Sequence, residues 1–123
     1  MHHSRAKDYW LDEAAPVCAF CRVTKLAFLR HLTNKAIMGD HLLSPPGPWK
    51  KLEQFLALPE VQFVGEPPGL EPQIGLFCSL GRTSPHLWTD AYLAAFAYCG
   101  GLRLVTFDQG FARFKGLELL LLN

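Results

Sequence analysis

Short apolar runs without alternation, separated by stretches of helical spacing, limit what this chain can fold into more than any other feature. Val17–Val23, Val61–Val64, Leu102–Phe107 and Leu117–Leu122 are such runs. A strand with one wet face alternates apolar and polar residues, whereas a strand covered on both faces does not. The intervening segments repeat at helical spacing. Ala6, Tyr9, Trp10 and Glu13 follow Ser4 as an N-cap, and Pro16 ends that helix. Thr24 caps a second helix with Leu26, Phe28, Leu29 and Leu32 on its apolar stripe. Residues 39–48 form a Gly/Pro-rich loop, and Pro48 opens a third helix marked by Trp49, Leu52, Phe55 and Leu56. Ile74, Phe77 and Leu80 mark a fourth, stopped by Gly81. Ser84-Pro85 opens the longest, which runs to about Cys99 and closes at Gly100-Gly101. Residues 109–114 make a short helical turn. Helices alternating with doubly covered strands predict an α/β domain, three layers deep, around a mostly parallel central sheet.

At 123 residues the chain has room for one such domain, 1–123. Half of it is hydrophobic and 19% is charged, which excludes a chain held open by charge. No apolar run approaches the roughly 18 residues of a membrane span, and Met1-His2-His3-Ser4-Arg5 leads into no signal-peptide core. The chain therefore reads as soluble and cytoplasmic. With a net charge of +1 and no block of like charge, it is not a binder that relies on phosphate neutralisation alone. Any nucleic-acid role must come from a local site. Four cysteines, Cys18, Cys21, Cys78 and Cys99, are few for a disulfide scaffold. Cys18-Ala19-Phe20-Cys21 has CxxC spacing but no second ligand pair, so buried reduced thiols are favoured over zinc or redox chemistry.

Ligands of open parallel sheets bind beyond the carboxyl ends of the strands. Asp108 falls just past the Leu102–Phe107 run, and Asp90 lies early in the alanine-rich helix. Two carboxylates in one crevice need a cation between them, and an all-oxygen site suits Mg²⁺ or Mn²⁺. Each acid also has a plain structural role open to it: Asp90 complements the helix dipole, and Asp108 serves a turn. Thr106 stands where a hydroxyl can orient a metal-bound water, or is simply a strand threonine. No histidine joins a nucleophile motif, and there is no glycine-rich phosphate loop.

Ser84-Pro85-His86-Leu87-Trp88-Thr89-Asp90-Ala91-Tyr92-Leu93-Ala94-Ala95-Phe96-Ala97, followed by Leu104-Val105-Thr106-Phe107-Asp108-Gln109-Gly110-Phe111, resembles the VapC-type toxins of the PIN-domain ribonucleases. Phe20-Cys21-Arg22-Val23-Thr24 and Glu66-Pro67-Pro68-Gly69-Leu70-Glu71 look like the same subgroup, and the likeness spans essentially the whole chain. It implies a single PIN-like domain and a crevice in which Asp90 and Asp108 hold Mg²⁺ or Mn²⁺. There an RNA phosphodiester is hydrolysed without a protein nucleophile. It further implies a VapB-like antitoxin whose C-terminal segment covers the crevice, and a homodimer. Thr106 is expected to support the site, with Lys25, Arg22 and Arg113 contacting RNA phosphates.

The sequence departs from the family pattern twice. The family opens with a central strand bearing Asp-x-Asn, whose aspartate is a principal metal ligand, and this chain starts after that point. Without it two neighbouring strands keep unpaired amides, so the chain alone is expected to be poorly soluble or to borrow a strand. Lys25 stands where the family commonly has Glu and the resembling subgroup often has Gln. Its ammonium either competes with the metal for Asp90 and Asp108, points to solvent, or meets phosphate. The alternative to an active nuclease is a catalytically inactive PIN remnant that binds antitoxin or RNA without cleavage. A CxxC metal or redox module is a third reading.

Overall fold

The computed structural model describes residues 18–34 and 46–122, which carry four short strands, four α-helices and one 3₁₀ helix. They fall into two compact units, the described residues of Ala14–Gly65 and those of Glu66–Asn123. The helix expected after Ser4 and most of the 39–48 loop lie outside the described residues. No helix among them is long and apolar enough to cross a membrane.

In the first unit, strand β1 (Cys18–Phe20) pairs in parallel with β2 (Val61–Phe63), Ala19 opposite Gln62. Helices α1 (Arg22–Leu32) and α2 (Gly47–Leu56) lie between them in sequence. The β1 run was expected to continue to Val23, with Thr24 as the cap of the next helix. Instead the strand stops at Phe20, because the Thr24 hydroxyl reaches back into the turn. It accepts from the Cys21 N–H at 2.8 Å and donates to the Cys21 carbonyl at 2.9 Å. The third helical residue thus satisfies the backbone of the residue before the helix, as the return half of a capping box does. Pro48 sits in the first turn of α2, where its missing N–H has no partner to lose. Phe20, Phe28 and Phe55, from β1, α1 and α2, meet with ring centroids 5.3–6.3 Å apart and form the core with Leu52 and Val61.

In the second unit, α3 (Leu70–Cys78) packs on α4 (Leu87–Gly100). Ala91, Ala94 and Ala95 are fully buried there, and their single methyl groups let α4 approach its neighbours closely. The helix ends at Gly101, whose φ of +65° is the left-handed turn glycine adopts without a Cβ clash. Strand β3 (Leu104–Thr106) pairs in parallel with β4 (Leu119–Leu121), joined by the 3₁₀ helix Gln109–Arg113. Phe77, Phe111 and Phe114 pack beneath that connection, with the Phe77 and Phe114 rings 5.1 Å apart.

Elements are shorter than the apolar runs implied. Thr106 and Asp108 turn the chain out of β3, and Gly116, at φ +84°, delays entry into β4. Helix α3 stops two residues before Leu80, and α4 starts at Leu87 because Ser84 caps the turn ahead of it, its hydroxyl accepting from the His86 N–H. The parallel α/β character is as expected. In place of one central sheet there are two parallel pairs, and no strand among the described residues joins them.

Candidate functional site

Two acids, one hydroxyl and one guanidinium gather at the carboxyl end of β3. Asp90 is in the first turn of α4, where the positive end of the helix dipole favours a carboxylate. Asp108 caps the 3₁₀ helix, its Oδ1 accepting from the Gly110 N–H at 2.8 Å. The Asp108 N–H donates to Thr106 Oγ1 at 3.1 Å. Thr106 therefore fixes the backbone that carries Asp108. Arg113 closes the other end of the same short helix. Its Nη1 donates to the Gly110 carbonyl at 2.6 Å, and its Nη2 lies 3.6 Å from Asp90 Oδ2. Its guanidinium carbon sits 4.5 Å over the Phe114 ring.

Gly110 is what lets these groups close together. A Cβ there would lie 2.7 Å from Arg113 Nη1 and 3.0 Å from Asp108 Oδ1. Asp90 approaches the guanidinium from α4, while Asp108 holds the other side of Gly110 in the turn that carries Arg113. An open depression of about 480 Å³ adjoins this turn, lined by Arg82, Gln109, Gly110 and Arg113 and by neither acid. Arg113 Nε is buried and finds no acceptor among the described residues. A buried donor left unpaired costs about 1–3 kcal/mol, which an anionic ligand can offset.

No family model matches the chain. Ribonuclease VapC41 of Mycobacterium tuberculosis, in strains CDC 1551 / Oshkosh and H37Rv, is 42% identical over 127 aligned residues. The alignment covers 98% of this chain and 86% of the relative. The chain belongs to the VapC family.

In this VapC-family chain the expected site residues separate into two groups. Asp90, Asp108, Thr106 and Arg113 lie in the second unit and meet as described. Arg22 and Lys25 lie in the first, at the start of α1. The Arg22 guanidinium is 5.3 Å, and the Lys25 ammonium 4.8 Å, from the centre of the Phe63 ring. Sequence reasoning missed Arg82, Gln109 and Phe63. Arg82 sits in a loop with no motif, and Phe63 reads only as part of an apolar strand. Gly110 carried a usable signal, because an aspartate two residues before a glycine is the pattern of a side-chain-capped turn.

Among the described residues the CxxC pair gathers no further metal ligand. Cys18 lies in β1, Cys21 is buried at the head of α1, and all four thiols are free. Among the described residues no three His, Cys, Asp or Glu side chains cluster as metal ligands. Burial pushes the Cys18 thiol above its ordinary range. The raised value means that its contribution to stability is intact below the ordinary thiol range and is lost as pH climbs through the folded value. The expected outcome is slow alkylation of Cys18 by iodoacetamide at pH 8 in the native protein, rising to the rate of a free thiol on denaturation. Peptide mass mapping reads this directly, and rapid native labelling would restore the redox reading.

Proposed function

We propose that this chain is a metal-dependent endoribonuclease toxin that cuts RNA at the Asp90–Asp108 crevice and is held in check by a VapB-like antitoxin. The observation that carries the reading is the convergence of Asp90 and Asp108 on the Gly110–Arg113 turn, beside a depression lined by two arginines. Carboxylates with cationic neighbours suit a phosphodiester, whose charge grows in the transition state. The relative's name, a ribonuclease, agrees with that chemistry.

The donor set fits Mg²⁺ or Mn²⁺. The acids offer only oxygen, and one Asp108 oxygen is engaged by Gly110, which leaves the other for a ligand. Mg²⁺ retains several waters and needs only one or two carboxylates from the protein. Asp90 and Asp108 would hold the ion, which when bound supplies an activated water and charge stabilisation at phosphorus. The chain's own contributions are separate. Thr106 and Gly110 fix the direction of Asp108, and Arg82 and Arg113 receive phosphate oxygens. Arg113 leaves Asp90 to do so, and its uncommitted Nε gains an acceptor. Assembly as a homodimer in the cytoplasm completes the proposal.

A binding-only reading rests on one observation, the lack of a third metal-capable side chain near the two acids among the described residues. Incubating the purified chain with a mixed RNA pool separates the two. Cleavage is expected in Mg²⁺ or Mn²⁺, lost with excess EDTA and restored by added metal. Fragments that form equally in EDTA would sink the metal-dependent reading. RNA bound but intact in either metal would make the chain a binder.

A further inference from the structure

The Phe63 ring is half exposed at the carboxyl end of the β1–β2 pair. Among the described residues it makes no aromatic pair. An exposed apolar ring flanked by two cations is poorly explained by packing, because the Phe20–Phe28–Phe55 core of the same unit closes without it.

Arg22 and Lys25 are the first and fourth residues of α1, a helix with no acid in its first turn. Cations belong at the opposite end of a helix, so both side chains stand against the dipole. Neither is paired with a carboxylate among the described residues; their contact is the Phe63 face. Two cations, a helix's positive end and a half-exposed aromatic ring offer what one nucleotide of a single strand requires. The ring takes a base, and the charges take its phosphate.

We propose that Phe63, Arg22 and Lys25 form a nucleotide subsite for single-stranded RNA, with a base stacked on Phe63 and the adjoining phosphate at Arg22 and Lys25. The proposal rests on the reading that this chain takes RNA, and it names a contact that confers affinity through stacking and phosphate pairing instead of through the two acids. Stacking tolerates any base, so the subsite contributes affinity without strong sequence preference. Both cations are on flexible stems and leave the ring as the base arrives.

The test uses the full chain carrying Asp90→Asn, which keeps RNA intact, and a short single-stranded RNA containing 2-aminopurine, titrated in Mg²⁺. Phe63→Leu is expected to weaken binding by about tenfold and to abolish quenching of the 2-aminopurine. Phe63→Trp should retain both. Arg22→Gln and Lys25→Gln should each weaken binding and reduce its salt dependence by about one phosphate contact. Because Phe63 is half exposed, thermal melting should show Phe63→Leu folded, and the Trp variant separates stacking from mere packing. Tight binding and full quenching in Phe63→Leu would overturn the subsite while leaving the ribonuclease reading intact. Absence of RNA binding by the Asp90→Asn parent, together with no cleavage by the unsubstituted chain in Mg²⁺ or Mn²⁺, would overturn both. Loss of antitoxin binding in Phe63→Leu with RNA binding unchanged would mark the patch as a protein-docking surface instead, and overturn the proposal.

Discussion

Replacing Asp90 with asparagine should lower kcat/KM for RNA cleavage by on the order of 10²–10³-fold, the range for removing one preorganised electrostatic group from a site. Asparagine keeps the shape of the side chain and removes its charge. The structural consequences are small by comparison. Loss of a carboxylate from the first turn of α4 costs about 0.3–1 kcal/mol of dipole interaction. The ion pair with Arg113, at 3.6 Å between side chains 27% and 23% exposed, is worth at most about 1 kcal/mol. The variant should therefore melt near the parent while its activity collapses. If Asp90 serves only the helix dipole, the ordering reverses: a slight loss of stability with cleavage within tenfold of the parent. Asp108→Asn makes a useful companion, because asparagine still accepts from the Gly110 N–H and preserves the cap. Single-turnover cleavage of an end-labelled RNA, run beside a thermal melt, reads both quantities on one preparation.

The elements were legible where local chemistry and tertiary packing agree. The alanine-rich helix, its glycine stop, the proline at the head of α2 and the parallel pairing all follow from pattern and turn residues. Boundaries were not legible, because a hydroxyl decides them. Thr24 binds the backbone at Cys21 and cuts β1 short, and Thr106 does the same at Asp108. An apolar run cannot announce that its neighbour will take a backbone N–H. The acids could be placed at a strand end and a helix start from sequence. That Arg113 returns across the 3₁₀ helix to Asp90 could not, since the contact depends on the fold of one tight turn. Arg113 was expected to touch RNA phosphate, and in the structure it is committed first to Asp90 and Gly110. The Phe63 cluster was invisible for a related reason. Phe63 is some forty residues from Arg22 and Lys25 in sequence, and only the β1–β2 register brings the ring to them.

The second large effect is expected at an apolar side chain, Phe77. Its side chain is 2% exposed and its ring meets Tyr98 and Phe114, at 5.8 and 5.1 Å between centroids. Truncation to alanine removes most of a buried aromatic and leaves a cavity, at a cost of about 3–5 kcal/mol. Domains of this size are stable by only about 5–15 kcal/mol, so the variant should lose at least about 10 °C in Tm. Trp88→Ala is the control. Trp88 lies on the same unit but is 64% exposed, and a change there should stay within about 0.5 kcal/mol. The consequence reaches the site through named contacts. Phe77 supports Phe114, whose ring underlies the Arg113 guanidinium, and Phe111 of the 3₁₀ helix packs on Phe114. Loosening Phe77 should therefore release the turn that holds Asp108, and cleavage should fall at temperatures where the variant is still folded. Phe77→Leu, which keeps much of the apolar volume, should lie between alanine and the parent in both Tm and activity. If activity instead follows only the folded fraction across these variants, the aromatic cluster holds the unit together without positioning Asp108.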